Sequence, residues 1–223
     1  MTDFCADWLD ARRSEIVAWW EANRFELVEL RRDYHWPPTL STKESLERRA
    51  RVAALVQRDA RDGDLKRESL SEVLRWGFNN NDSALENSTD AQIRAATETA
   101  LRLLRTNDLE GAVSSLNTLD GIGISSASKM LALSDPERAA ILDSRVGRAL
   151  SGLTYDGDLL IPIPPGRGDP GSRSSPQELS RGFADLACLL QFLQTLAAAD
   201  PGARGVLSSV TDIEMALFMK GAR

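Results

Sequence analysis

Histidine and cysteine are almost missing from this chain of 223 residues: one histidine, His35, and two cysteines, Cys5 and Cys188. A single histidine excludes His-rich metal sites and argues against a Ser–His–Asp triad. Two cysteines far apart in sequence cannot by themselves build a zinc site or an iron–sulfur cluster. A disulfide between them stays open. Reduced thiols in a reducing compartment are the simpler expectation, and a cytoplasmic location goes with it. No apolar run approaches the roughly 18 residues that a membrane span needs, so no membrane partner is expected. Met1–Asp10 carries three acids and no base, unlike a secretory signal. An excess of positive charge is missing too: 33 acidic against 27 basic side chains give a net charge of −6. Residues 11–75 hold fourteen bases and twelve acids, residues 76–100 one and four, and residues 101–150 six and six. No block is strongly basic. A broad electrostatic grip on nucleic acid is therefore excluded, though a few placed cations and backbone amides are not.

What is present is helix. The length predicts one domain, which can carry two lobes, with roughly 70% of the unfolded surface buried. Apolar residues at helical spacing predict a helix over Arg13–Arg32, through Ile16, Trp19, Trp20, Leu27 and Leu30. Trp36-Pro37-Pro38 ends it. Ser41-Thr42-Lys43-Glu44 is a capping box that opens a second helix to Arg61. Further helices are expected over Ser69–Trp76, Asp90–Arg105, Asp108–Leu119, Ser125–Leu133, Asp143–Leu150, Pro176–Ala199 and Thr211–Met219. Residues 152–175, rich in Gly and Pro, read as the one long irregular loop. No alternating strand stands out, so the class is all-α.

Chemistry concentrates in Leu119-Asp120-Gly121-Ile122-Gly123-Ile124-Ser125. Helices flank this segment. Gly121 and Gly123 permit a tight turn whose N–H groups point outward at a helix N-terminus, which suits a phosphate. Taken alone, a Gly-x-Gly also fits a plain helix–helix turn. Twenty residues after Gly121 comes Ile141-Leu142-Asp143-Ser144-Arg145-Val146. Asp143 opens a helix, where Asp serves as an N-cap in any case.

This hairpin followed by an aspartate resembles the helix–hairpin–helix DNA glycosylase superfamily, and within it the 8-oxoguanine DNA glycosylase branch. The resemblance covers roughly Leu70–Leu150 and the last helix. It implies an all-α, two-lobed fold with the active site between the lobes. The lobes are expected at 65–118 and at 1–60 with 119–223. It implies Asp143 as the catalytic carboxylate, and DNA contacts from Gly121, Ile122, Gly123, Ser125 and Arg145. It further implies that Asn79, with Asn80, fills the gap left by a flipped nucleotide; a simple turn cluster is the other reading. In the last helix, Glu214 falls where the branch reads the base edge and Phe218 where it stacks on the ring. The i, i+4 spacing places both on one face, and a core Phe with a surface Glu remains the plain alternative.

The departures are informative. Bifunctional members carry a lysine where Ser125 stands, and a serine cannot form a Schiff base. The resemblance therefore implies a monofunctional enzyme that leaves an abasic site. Lys129, one helical turn on, is left to line the base pocket, pair with Glu214 or face outward. Asp120 replaces the hairpin proline, and Ala84 stands where the branch has an arginine, which removes the basis for reading an opposite cytosine. The implied partner is double-stranded DNA holding a damaged or modified base, bound by a monomer. No cofactor or catalytic metal is implied beyond a monovalent cation at the hairpin. The substrate expectation is an oxidised guanine or a bulky modified cytosine of the kind found in some viral genomes. A non-catalytic helix–hairpin–helix DNA-binding module is the alternative.

Overall fold

In a computed structural model, which describes residues 3–78, 84–165 and 174–223, the chain is mostly helical. The order is α1 (Asp3–Asp10), α2 (Arg13–Arg32), α3 (Thr42–Asp62), α4 (Arg67–Phe78), α5 (Asp90–Arg105), α6 (Leu109–Leu116), α7 (Ile124–Ser134) and α8 (Ser144–Ala149). Then follow β1 (Thr154–Tyr155), β2 (Asp158–Leu159), α9 (Pro176–Ala199) and α10 (Val210–Lys220).

The helix starts are written in local polar chemistry. Ser41 and Glu44 form the expected capping box at α3. Thr89 with Gln92, Ser175 with Glu178, and Ser209 with Asp212 do the same at α5, α9 and α10. Pro176 occupies the first turn of α9, where its missing N–H costs nothing. The Ser41 hydroxyl and amide hold the Glu44 carboxyl below its usual range. At Glu178 the Ser175 amide does so first and the Ser175 hydroxyl second.

The chain divides into two units. One comprises Met1–Tyr34 and Leu142–Arg223, the other His35–Ile141. These boundaries differ from the expected lobes at 65–118 and at 1–60 with 119–223: α3 and α7 belong with α4, α5 and α6. In the 35–141 unit, α5 packs on α6, α3 on α4 and α7, and α7 also on α4 and α6. Its core includes Val56, Leu70, Leu74, Leu104, Val113, Leu116 and Leu131.

In the other unit α10 packs on α2, α8 and α9, and α1 packs on α9. Ile16, Trp20, Leu27 and Leu30 form the buried stripe of α2. Cys5 and Cys188 are joined in a disulfide that fixes α1 to α9. The expectation of reduced thiols is thereby corrected, because docking α1 on α9 brings together two sulfurs 183 residues apart. The argument from cysteine number to a reducing compartment falls with it. A second correction concerns α9, which is long and apolar enough to cross a membrane by length and composition. In that apolar window 67% is buried within the protein, with Phe183, Leu186, Leu189, Leu190 and Leu193 in the core, so here it is a core helix.

The 152–175 segment is not wholly irregular. Thr154–Tyr155 pairs antiparallel with Asp158–Leu159 around a two-residue turn, Asp156-Gly157, with both residues at positive φ. Asp-Gly is the favoured composition for that turn. Leu160 and Ile161 then bury. A Cβ on Gly147 of α8 would meet Ile163, and one on Gly182 of α9 would overlap Pro162. Small residues on both helices thus seat the Ile161-Pro162-Ile163 strap. Residues 166–173 of the expected loop lie outside the described residues.

Candidate functional site

Two places carry the expected chemistry, one in each unit. The first is the turn between α6 and α7. Gly121 has φ +68°, a left-handed conformation that glycine adopts without penalty. A Cβ there would also come within 2.9 Å of the Ala84 Cα. Gly123 is different. Its φ is −97°, and no described atom lies within 4 Å of where its Cβ would be. Nothing in the described fold demands glycine there. Gly123 is exposed, and it caps α7 without a side-chain hydrogen bond to the helix amides. The first turn of α7 therefore begins without a side-chain cap, behind a residue with no side chain.

Ile122 does not serve as expected. Its side chain is buried and its N–H is donated to the Leu119 carbonyl, so neither is offered to a phosphate. Asp120, the residue in place of the family proline, is structural. Its carboxylate accepts from Asn87 Nδ2 at 2.9 Å, its N–H donates to Ser88 Oγ, and its carbonyl accepts from Leu85 N–H. The 84–88 turn that it grips holds Leu85 at φ +74°, a strained conformation for a side chain of this kind. Arg67 fixes that turn by donating to the Leu85 and Ser88 carbonyls and pairing with Asp90 at 2.7 Å. This buttress was not found from the sequence; its only signal is the turn-forming run Asn87-Ser88-Thr89.

Further along α7, Ser125 and Lys129 come together. Lys129 is 97% buried, and its Nζ donates to the Ser125 carbonyl at 3.3 Å. Its stem lies across Gly77 of α4, where a Cβ would be 2.8 Å from Lys129 Cδ. The outward-facing reading of Lys129 is thereby excluded. Asn79 and Asn80 lie outside the described residues.

One acceptor without a partner lies near the hairpin. The Asn117 Oδ1 atom, at the end of α6, is buried without a hydrogen-bond partner. It is one oxygen ligand for the implied monovalent cation, short of a coordination shell. Among the described residues no group of three or more His, Cys, Asp or Glu is placed to hold a metal.

The second place is α8 with α10. Asp143 caps α8: its Oδ1 accepts from the N–H groups of Arg145 and Val146, both at 3.0 Å. Both capping bonds use the same oxygen, so capping does not consume Oδ2. The side chain is 7% exposed. The Arg145 backbone is held at both ends. Its N–H goes to Asp143, and its carbonyl sits so close to Gly221 that a Cβ there would be 1.8 Å away. Gly221 has an ordinary helical φ, so here glycine answers a close approach and not a conformational need.

The Arg145 guanidinium lies over the Phe218 ring, 4.6 Å from its centroid. Burial lowers its pKa; Asp143 acts in the opposite sense and Arg148 adds to the lowering. Tyr34, fully buried at the end of α2, meets the same ring edge-on at 6.3 Å. One turn before Phe218, Glu214 is 2% exposed, so the surface-Glu alternative does not hold. The α10 start is fixed by Asp212, which accepts from Ser208, Ser209 and Arg31. Burial pushes the Asp212 carboxyl up, but those hydrogen bonds outweigh it and hold it below its ordinary value of 3.8.

Asp143, Arg145, Glu214 and Phe218 thus belong to one unit, and Gly121, Gly123, Ser125 and Lys129 to the other. A glycine hairpin and, 22 residues after Gly121, an aspartate that caps the next helix form a pattern similar to that of helix–hairpin–helix DNA glycosylases. The family model described as "Putative 8-oxoguanine DNA glycosylase OGG-like protein" matches residues 8–218, and the chain belongs to that family. No curated protein and no solved structure matches it.

Proposed function

We propose that the protein is a monofunctional DNA glycosylase that extrudes an altered base from duplex DNA and hydrolyses its N-glycosidic bond. The observation that carries this is Asp143, a nearly buried carboxylate whose Oδ1 is fixed by two backbone amides at the start of α8. Base extrusion costs a few kcal/mol, offset by contacts to the flipped base and the backbone. The start of α7 behind Gly123, which has no side-chain cap, suits a DNA phosphate. A monovalent cation on the Asn117–Ile122 segment would add positive charge to that contact.

As the glycosidic bond breaks, positive charge develops on the sugar. A fixed carboxylate interacts more strongly with that transition state than with the neutral ground state, which is the condition for a faster chemical step. Asp143 takes this role and also orients the attacking water. Ser125 offers no amine, and the Lys129 amine is engaged with the Ser125 carbonyl, which supports hydrolysis without strand cleavage. Glu214 and Phe218 share a helical face, one for a base edge and one for its ring. A carboxylate acceptor favours an edge presenting N–H, as an oxidised guanine or a modified cytosine does.

Asp143→Asn tests the proposal, because Asn keeps an acceptor for the cap and removes the charge. Mass spectrometry of free bases released from differently modified DNAs is the measurement. Base release is expected to fall on the order of 10²–10³-fold with duplex binding kept. Equal release by wild type and variant sinks the role of Asp143. No release from any DNA by wild type leaves the hairpin as a phosphate-binding module only. Borohydride with abasic DNA is expected to trap no covalent adduct.

A further inference from the structure

The chain as a whole is acidic, yet bases gather at one corner of the unit that carries Asp143. A groove of about 750 Å³ runs there between α2, residues 148–154 and the end of α10. Its α2 side is low, with exposed Ala18 and Ala22 one turn apart. Arg148, Lys220 and Arg223 gather at one end around Glu26. Glu26 pairs with Lys220 and, at 3.4 Å, with Arg223. Arg148 Nε donates to the Gly221 carbonyl at 3.2 Å, and Arg148 forms no ion pair among the described residues. Two cations thus share one carboxylate and the third has none. We propose that Arg148, Lys220 and Arg223 bind the sugar–phosphate backbone of the DNA strand flanking the altered base, and that Glu26 holds two of these cations in place while weakening their grip. This rests on the glycosylase reading above, which supplies DNA as the ligand.

Position, charge and geometry agree on this ligand. Asp143 opens α8 and Arg148 lies in its last turn, about 7.5 Å further along the helix axis. A strand whose sugar sits at Asp143 therefore passes within reach of the Arg148 side chain. Bases at a helix C-terminus also answer the helix dipole, but that effect fades within the last turn. Lys220 already stands in the last turn of α10, and Arg148 already serves the Gly221 carbonyl. Arg223 lies beyond the helix with its side chain 65% exposed, and an ion pair so exposed adds little stability. Its charge is thus available to a ligand. A guanidinium fork matches two phosphate oxygens, and a lysine adds a point charge beside it. Glu15 lines the groove eleven residues before Glu26, about 16 Å along α2. That acid repels phosphates, so the strand meets the groove at the α10 end alone.

The test uses the whole protein and a duplex with a central tetrahydrofuran abasic analogue, with affinity followed by fluorescence anisotropy over a series of salt concentrations. Arg148→Gln and Arg223→Gln are each expected to lower the slope of log affinity against log salt by about one, as for the loss of one phosphate contact. Glu26→Gln removes an acid, and it is expected to tighten binding about fivefold at low salt. That gain should fade as salt is raised. Arg204→Gln is the control: Arg204 is an exposed arginine of the same unit that does not line the groove, and its loss should leave the slope unchanged. Bases that merely steady the end of α10 would move Tm and leave the salt slope alone. Unchanged slopes for both groove arginines overturn the proposal, as does weaker binding by Glu26→Gln. An equal loss of slope in Arg204→Gln overturns it too, since net charge and not the corner would then govern binding. All three results leave the glycosylase reading standing. Failure of the wild type to bind the duplex at low salt overturns both.

Discussion

The α6–α7 hairpin and the α8–α10 pair both hold backbone in a fixed pose, and they do so by opposite means. At the hairpin, polar groups reach in from the side. Arg67 clamps a strained turn, and Asp120, Asn87 and Ser88 tie that turn to the glycines. At α8 and α10, two helices approach until the Arg145 carbonyl rests on Gly221, and volume sets the geometry. Backbone conformation is therefore the sensitive quantity in the first region, and packing space in the second.

The sharpest way to break the second region is Gly221→Ala. The methyl would overlap the Arg145 carbonyl, a backbone atom that cannot swing aside. A loss on the order of 3 kcal/mol is expected, at the upper part of the range for overpacking. Thermal unfolding would show it, and base release should fall as well because α8 carries Asp143. A methyl tolerated without a change in Tm would show that the two helices are not so tightly seated. Next in size, reduction of Cys5–Cys188 is expected to cost about 2–4 kcal/mol. Both cysteines lie in the unit of α8 and α10. Hydrogen exchange should therefore rise there on reduction while α3–α7 stay protected; an equal rise in both would contradict the division.

At the hairpin the two glycines should separate. Gly121→Ala places a methyl at φ +68° and against Ala84, so a cost of about 1–3 kcal/mol is expected. Gly123→Ala has room and an ordinary φ. Its unfolding should shift by less than about 0.5 kcal/mol, as for a surface change, while duplex binding weakens. Equal effects of the two variants on stability would remove the case for Gly123 as a contact glycine. The smallest effect concerns Asp212. Its folded carboxyl binds a proton more weakly than the unfolded chain does. Its stabilisation is full above 3.8 and fades as pH falls through the lower folded value. Asp212→Asn should lower stability near neutrality and flatten the acid limb of the stability curve, with the two proteins converging at low pH.

Several helices were legible because their starts are local: Ser41 with Glu44, Asp108 and Asp143 announce themselves within four residues. The hairpin and Asp143 were legible as a spaced pattern. Helix α1 was not, since eight residues gain their helical state from docking on α9. The β-turn at Asp156-Gly157 carried a signal, but strands of two residues show no alternation. The Arg145–Phe218 contact joins residues 73 apart, and only the packing of α8 on α10 reveals it. Glycines 147, 182 and 221 look interchangeable in sequence; their neighbours, far away along the chain, give them their meaning.

The disulfide has a topological consequence. The unit of α8 and α10 is built from two stretches of chain, and the whole of 35–141 is an insertion between them. Cys5 lies on one stretch and Cys188 on the other, so the bond closes a covalent ring through the insertion. A single protease cut anywhere within 35–141 would then linearise the ring without releasing a fragment. The nicked protein would run as one species on a non-reducing gel and as two once the bond is reduced.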